Sequence, residues 1–207
     1  MATGVPLADR FEAIVLAAGS GSRFGGGKLL APWNGGVLLD GALAAAFAAP
    51  ARSVILVTGA EGKRVAAAGR ACAERLGEAG RLRIIEAADH AEGMGASLRA
   101  GAAALPADAA GVFVFLGDMP RVPVAVLGAL AEAVHEGAPA AAPRFEGRRG
   151  NPVLLGAGLI PALRGVSGDR GAREILNGLG GDLALVDAPD DGVLFDVDRP
   201  EDLASPS

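Results

Sequence analysis

Four short apolar runs punctuate the first half of the chain, at residues 12–17, 53–58, 81–85 and 112–116. Each is short, rich in Val, Ile, Leu or Phe, and the first and last run into glycine. That pattern predicts buried β-strands. Between the runs the spacing changes. Over 62–79, Val65, Ala68, Cys72 and Leu76 recur every third or fourth position, the period of one helix face. A second helix is predicted over 95–105, stopping before Pro106. Pro123 opens a third, with Val126, Leu127, Leu130 and Val134 on one face. Strands apolar on both faces, alternating with helices, indicate a mostly parallel α/β sheet covered on both sides.

The second half is less regular. Residues 144–155 read as a Gly-turn hairpin or excursion, followed by a helix over 172–179 and strands near 183–187 and 193–197. No internal repeat or long linker divides the chain. A single domain over 1–207 is expected, with its core at about 11–203.

Composition narrows the class. The chain has 207 residues, 51% hydrophobic and 21% charged, too apolar for disorder. Its length suits one domain burying about 70% of the surface of the unfolded chain. No uncharged apolar stretch approaches the ~18 residues of a membrane helix, so no membrane partner is expected. A net charge of -5 with only 4% aromatics disfavours nucleic acid. One Cys excludes an internal disulfide framework and a Cys-based zinc site. The first ten residues lack the basic and apolar pattern of a secretory signal, and 204–207 read as a frayed tail. With the lone Cys, this leads us to expect a cytoplasmic protein. All cations are Arg except Lys28 and Lys63. Lys28 stands out because it lies in a glycine-rich loop; Lys63 reads as surface.

That loop is Leu16-Ala-Ala-Gly-Ser-Gly-Ser-Arg-Phe-Gly-Gly-Gly-Lys28. It follows a strand directly, so its backbone N–H groups can face a ligand at the carboxyl edge of the sheet. Small residues permit close approach to phosphates, while Arg23 and Lys28 supply charge. It is not a Walker A loop, because Ser22 and Leu29 occupy the required Gly and Ser/Thr positions. Nor is it the dinucleotide fingerprint: position 24 is Phe, and the second strand ends at Thr58 rather than at an acidic residue. An NAD(P)-dependent enzyme is therefore disfavoured.

Two acidic segments follow. Asp118 closes a strand in Gly117-Asp-Met-Pro120, a setting that suits a hard cation such as Mg²⁺ and equally suits a plain turn. In Phe195-Asp-Val-Asp-Arg-Pro-Glu-Asp202, an extended strand would put Asp196 and Asp198 on one side. Two such carboxylates favour a cation between them. Asp198 as a helix cap before Pro200 is the alternative.

The segment from Leu16 to Lys28 resembles the Leu-Ala-Ala-Gly-X-X-X-Arg-Met-Gly-X-X-Lys signature of MobA-like nucleotidyltransferases, with Phe24 in place of Met. Further landmarks recur in family order: Gly93-Met-Gly-Ala-Ser-Leu-Arg-Ala-Gly101, Gly117-Asp-Met-Pro120, Gly150-Asn-Pro-Val153, Gly168-Asp-Arg-Gly-Ala-Arg173 and Asp196-Val-Asp-Arg-Pro-Glu-Asp202. The resemblance spans residues 13–202. It implies a Rossmann-like nucleotidyltransferase (GT-A-type) three-layer α/β/α sandwich with a mostly parallel mixed sheet. Leu16-Ala17-Ala18-Gly19 is similar to the molybdenum cofactor cytidylyltransferase branch, whose guanylyl-transferring relatives read Leu-Ala-Gly-Gly. Two departures concern the acceptor end: Asn151 stands where the branch often has His, and Arg199 where it usually has Thr.

The resemblance implies Mg²⁺-dependent transfer of CMP from CTP to molybdopterin, with release of pyrophosphate. On this reading Leu16, Ala17, Ala18, Gly19, Ser20, Gly21, Arg23, Lys28, Thr58, Gly93 and Ser97 bind the nucleotide. Lys28, Arg23 and Asp118 are catalytic, and Asp118 and Asp198 hold the metal. Asn151, Arg148, Arg149 and Asp169 face the acceptor. A transient contact with a molybdoenzyme or its chaperone would follow. His90 and His135 are given no catalytic role, because a phosphate nucleophile needs no general base. The alternatives are GMP or CMP transfer to another phosphorylated acceptor, a guanylyltransferase or sugar- or polyol-phosphate enzyme, and a non-catalytic nucleotide-binding maturation factor.

Overall fold

The computed structural model describes residues 10–19, 21, 24–168 and 171–204. In chain order the elements are β1 (Phe11–Ala17), β2 (Pro32–Trp33), β3 (Gly36–Val37), α1 (Leu38–Ala48), β4 (Val54–Thr58), α2 (Gly62–Leu76) and β5 (Leu82–Glu86). There follow α3 (Met94–Ala103), β6 (Gly111–Leu116), α4 (Ala125–His135), β7 (Ala140–Phe145) and β8 (Arg148–Arg149). The last are β9 (Val153–Gly156), α5 (Ile160–Leu163), α6 (Arg173–Gly178) and β10 (Leu183–Asp187).

The main sheet runs β10-β7-β9-β6-β1-β4-β5, with β8 pairing β7; β2 and β3 form a separate two-stranded ribbon. β1 pairs in parallel with β4 and β6, β4 with β5, and β10 with β7. Among the described residues of this sheet, β9 and β8 are the strands that run antiparallel to their neighbours. The result is the mixed, mostly parallel sheet expected.

Every residue of β1 is buried, and the strand pleat divides them between two cores. Ala13, Val15 and Ala17 pack with Leu39 and Leu43 of α1, Cys72 of α2 and Leu127 and Leu130 of α4. Ile14 and Leu16 pack on the other side with Leu98 of α3, Leu163 of α5 and Leu176 of α6. Phe113 and Phe115 join the first core, Val112 and Val114 the second. The fold is therefore three layers, with helices on both faces of the sheet.

Buried charge sits at the opposite end of β1 from the glycine loop. Glu12 is only 1% exposed and accepts from Arg52 Nε and, at 2.5 Å, from Ser53 Oγ. Arg52 also grips Asp108 in a fork of 2.8 and 2.6 Å. A buried carboxylate is tolerable only when paired and hydrogen-bonded in this way.

The helix periods and the hairpin are close to expectation, and Glu146 and Gly147 make the hairpin turn with φ of 48° and 78°. One expectation fails. Residues 193–197 are not a strand: Val193 ends a 3-10 turn (Asp191–Val193) and 195–198 carry no ladder. Val193 belongs to the large core, whereas Val197 belongs to a small cluster with Trp33 and Leu38. The two valines anchor a chain passing between two cores, so their spacing mimics a strand that has no partner.

Candidate active site

The glycine loop leaves the carboxyl end of β1. Gly21, Gly25, Gly26 and Gly27 have φ of 59°, 89°, 94° and 67°, conformations that a side chain would strain. Gly27 N–H donates to Glu61 Oε1 at 2.6 Å, tying the loop to the start of α2. Lys28 then enters a short 3-10 turn (Lys28–Leu30) whose Leu29 is buried in the first core. The root of the lysine is fixed by its buried neighbour, and its ammonium lies against the turn that follows β6.

There Lys28 Nζ meets Asp118 Oδ2 at 2.6 Å and Asp198 Oδ1 at 3.6 Å. Asp118 follows β6, the strand beside β1, in a turn where Met119 N–H donates to the Leu116 carbonyl. Gly41 of α1 supports that turn from below. A Cβ on Gly41 would lie 2.7 Å from Pro120 Cα and collide with the Pro120 carbonyl oxygen. Asp198 is set by the main chain around it: its N–H and that of Arg199 both donate to Asp202 Oδ2, at 2.9 and 2.8 Å. Asp196, nearby, has its carboxyl held above the ordinary carboxylate range, first by desolvation and then by the charges of Asp118 and Asp198. The region is thus richer in carboxylates than one ammonium neutralises.

Among the described residues no three His, Cys, Asp or Glu side chains converge as a metal-ligand set. Asp118 and Asp198 nonetheless present hard oxygen donors around one positive charge. That suits Mg²⁺, which is commonly held by one or two carboxylates together with substrate phosphates and water.

Two adjoining hollows open from this edge. One, of about 710 Å³, is lined by Leu16, Ala18, Gly19, Ala60, His90, Ala91, Gly93, Met94, Ser97, Leu116 and Asp118. The other, of about 540 Å³, is lined by Leu16, Met94, Leu98, Val114, Leu116, Arg149, Gly150, Asn151, Val153, Ala172, Arg173 and Leu176. Leu16, Met94 and Leu116 are common to both.

Six of the expected nucleotide and metal residues, Leu16, Ala18, Gly19, Gly93, Ser97 and Asp118, thus meet around the larger hollow, with Lys28 bonded to Asp118. Asn151 and Arg149 meet in the smaller one, where Arg149 is steadied by Asn177 Oδ1 at 3.0 Å. Other residues sit apart. Ala17 is packed into the first core. Thr58 is 2% exposed and its hydroxyl donates to the Ile85 carbonyl at 3.2 Å, so it serves the β4–β5 pair. Arg148 is exposed on the hairpin and lines neither hollow. Ser20, Arg23 and Asp169 lie outside the described residues.

The sequence reading passed over several wall residues. His90 lines the larger hollow, and its Nδ1 is buried without a hydrogen-bond partner. Met94, 40% exposed, stands at the start of α3 between the hollows. Arg173 adds a second guanidinium to the smaller one. Met94 and Arg173 lie inside the Gly93 and Gly168 motifs without having been given a role, and His90 lies three residues before the first of them.

The chain is 35% identical to nicotine blue oxidoreductase of Paenarthrobacter nicotinovorans, over 92% of this chain and 93% of that protein. It is 28% identical to molybdenum cofactor cytidylyltransferase of Escherichia coli, over 92% of each. The crystal structure of Rv0371c from Mycobacterium tuberculosis superposes with a TM-score of 0.74 at 25% identity, over 95% of this chain and 97% of that one. The pattern of the MobA-like NTP transferase domain matches residues 13–185. The chain belongs to the MobA-like NTP transferase family.

Proposed function

We propose that this protein transfers CMP from CTP to molybdopterin, releasing pyrophosphate, with Mg²⁺ as the cofactor. The observation that carries the reading is the meeting of Lys28, Asp118 and Asp198 where the glycine loop leaves β1. In the transfer, an acceptor phosphate oxygen bonds to the α-phosphorus as the bond to pyrophosphate breaks. That nucleophile is already ionised, so positioning and charge neutralisation dominate. The amides at Gly19 and Gly21, with Arg23 and Lys28, hold the triphosphate. Asp118 and Asp198 would hold the divalent ion, which supplies neutralisation of phosphate charge. Gly93 and Ser97 face the nucleoside in the larger hollow. The smaller hollow, with Arg149 and Asn151 beside an apolar wall, takes the acceptor, a phosphate monoester with a flat heterocycle. Such an enzyme works in the cytoplasm and hands its product to a molybdoenzyme or its chaperone.

The test is pyrophosphate release across the four nucleoside triphosphates, with and without molybdopterin. Turnover that requires both CTP and molybdopterin is expected. Preference for GTP, or activity only with a sugar or polyol phosphate, would select a related transferase. Tight CTP binding with no turnover would select a maturation factor.

A second reading rests on the 35% identity to a relative named an oxidoreductase. It assigns the same cleft to an oxidoreductase reaction. Binding of NADH or NADPH, followed by fluorescence, would favour it; the glycine loop lacks the dinucleotide fingerprint.

A further inference from the structure

The proposed site calls for a divalent ion, yet a positive charge from the chain itself already lies there. Lys28 Nζ is 2.6 Å from Asp118 Oδ2 and 3.6 Å from Asp198 Oδ1. Its side chain is 13% exposed, against 48% for Asp198, so the ammonium is the inner partner. A divalent ion bound by the same two oxygens would sit within a few ångströms of that ammonium, where like charges repel strongly. The two cations therefore compete for one place. The donor set points the same way, because no third His, Cys, Asp or Glu side chain joins the two carboxylates among the described residues. An ion held there must complete its coordination with oxygens from elsewhere, and phosphates are the usual source.

Lysine is suited to such an exchange. Its charge is compact and rides on a flexible four-carbon stem. The glycine loop on which it stands is fastened at Gly27 by Glu61, so the stem can swing while its root stays fixed. A triphosphate arriving beside the loop offers the ammonium new anionic partners and at the same time delivers the divalent ion.

We infer that Lys28 is the resident counter-ion of Asp118 and Asp198, and that it gives way to a divalent ion that enters bound to the nucleotide. The substrate is then the ion–nucleotide complex, and the free protein has little affinity for the ion alone. The nucleotide half of this inference rests on the transferase reading. The competition between Lys28 and a free ion does not.

The experiment uses Mn²⁺ as probe on the full chain without nucleotide, with free Mn²⁺ read by electron paramagnetic resonance. Wild type, Lys28→Met, Lys28→Gln and the double variant Lys28→Met/Asp118→Asn are compared, each checked by circular dichroism. Both neutral Lys28 variants should bind one Mn²⁺ about tenfold tighter than wild type, and the double variant should lose that gain. Adding CTP should tighten Mn²⁺ binding to wild type and do little for the Lys28 variants. If neither Lys28→Met nor Lys28→Gln binds Mn²⁺ more tightly, or if the gain survives Asp118→Asn, the inference is overturned. Wild-type Mn²⁺ binding that no nucleoside triphosphate improves would count against the transferase reading and the nucleotide half, while the comparison among Lys28 variants still decides the competition.

Discussion

The Val197 amide donates a 3.1 Å hydrogen bond to the Asp118 carbonyl, joining main chain to main chain the two segments that carry the candidate metal carboxylates. Val197 itself is fully buried beside Trp33 and Leu38. Asp198 is thus held between a buried neighbour on one side and the Asp202 carboxylate on the other.

Truncating that anchor should separate stability from function in a recognisable way. Val197→Ala is expected to cost about 2 kcal/mol, a typical figure for removing buried methyl groups. Thermal melting should fall by several degrees, and KM for the metal–nucleotide complex should rise further than the melt explains. An unchanged KM would mean that Asp198 does not act on the nucleotide.

Asp118→Asn keeps the size of the side chain and removes the charge. Turnover should fall by about 10²–10³-fold, the scale seen when one electrostatic contact to a transition state is lost. Circular dichroism should be unchanged. Full activity in this variant would remove Asp118 from the proposed site.

Gly41→Ala tests the floor beneath the Asp118 turn. The added methyl has no room against Pro120, and overpacking of this kind costs about 1–3 kcal/mol. Despite the higher helix propensity of alanine, the variant should melt lower and turn over more slowly. A higher melting temperature would show that the turn can retreat without consequence.

The sheet was legible because β1, β4 and β6 are apolar on both faces and short, a pattern with few other physical solutions. The strand over 183–187 was located from its sequence alone, as it has a parallel partner in β7. The segment 193–197 was misread because residue spacing records burial without saying what does the burying. The site divides similarly. The loop and Asp118 stand out locally, each at the end of a buried strand. Asp198 reaches Lys28 only through tertiary packing; its alternation with Asp196 suggested a cation through a strand that does not form, and its pairing with Asp118 came from family resemblance. Thr58 looked available because it ends a strand, but the neighbouring β5 engages its hydroxyl. His90 carried no pattern of its own, and Met94 sat in a motif without an assigned role; only the folded cleft gives them a place.

Acid should weaken the far end of β1. Arg52, by its hydrogen bonds and charge, holds the Asp108 carboxyl below its ordinary range. A depressed folded-state pKa contributes stability above the unfolded value, lost as pH falls through the folded value. Asp108→Ala should therefore melt below wild type at neutral pH, and the two curves should converge in acid. Equal melting at pH 7 would show that this exposed fork contributes nothing.

Burial pushes the Cys72 thiol up to about 11, leaving little thiolate at neutral pH. Ellman's reagent should react slowly with the native protein and rapidly after denaturation, with one thiol released per chain. Rapid labelling of the native protein would contradict the packing of α2 against the sheet.

Leu16, Met94 and Leu116 wall both hollows, and this shared partition couples the shapes of two compartments that would otherwise vary independently. A substitution that reshapes one compartment from this side reshapes the other. The outer wall around Arg149 and Arg173 belongs to the smaller hollow alone, so changes there leave the larger one untouched. Relatives that diverge in substrate while keeping the loop and the Asp118 turn are what such a layout favours.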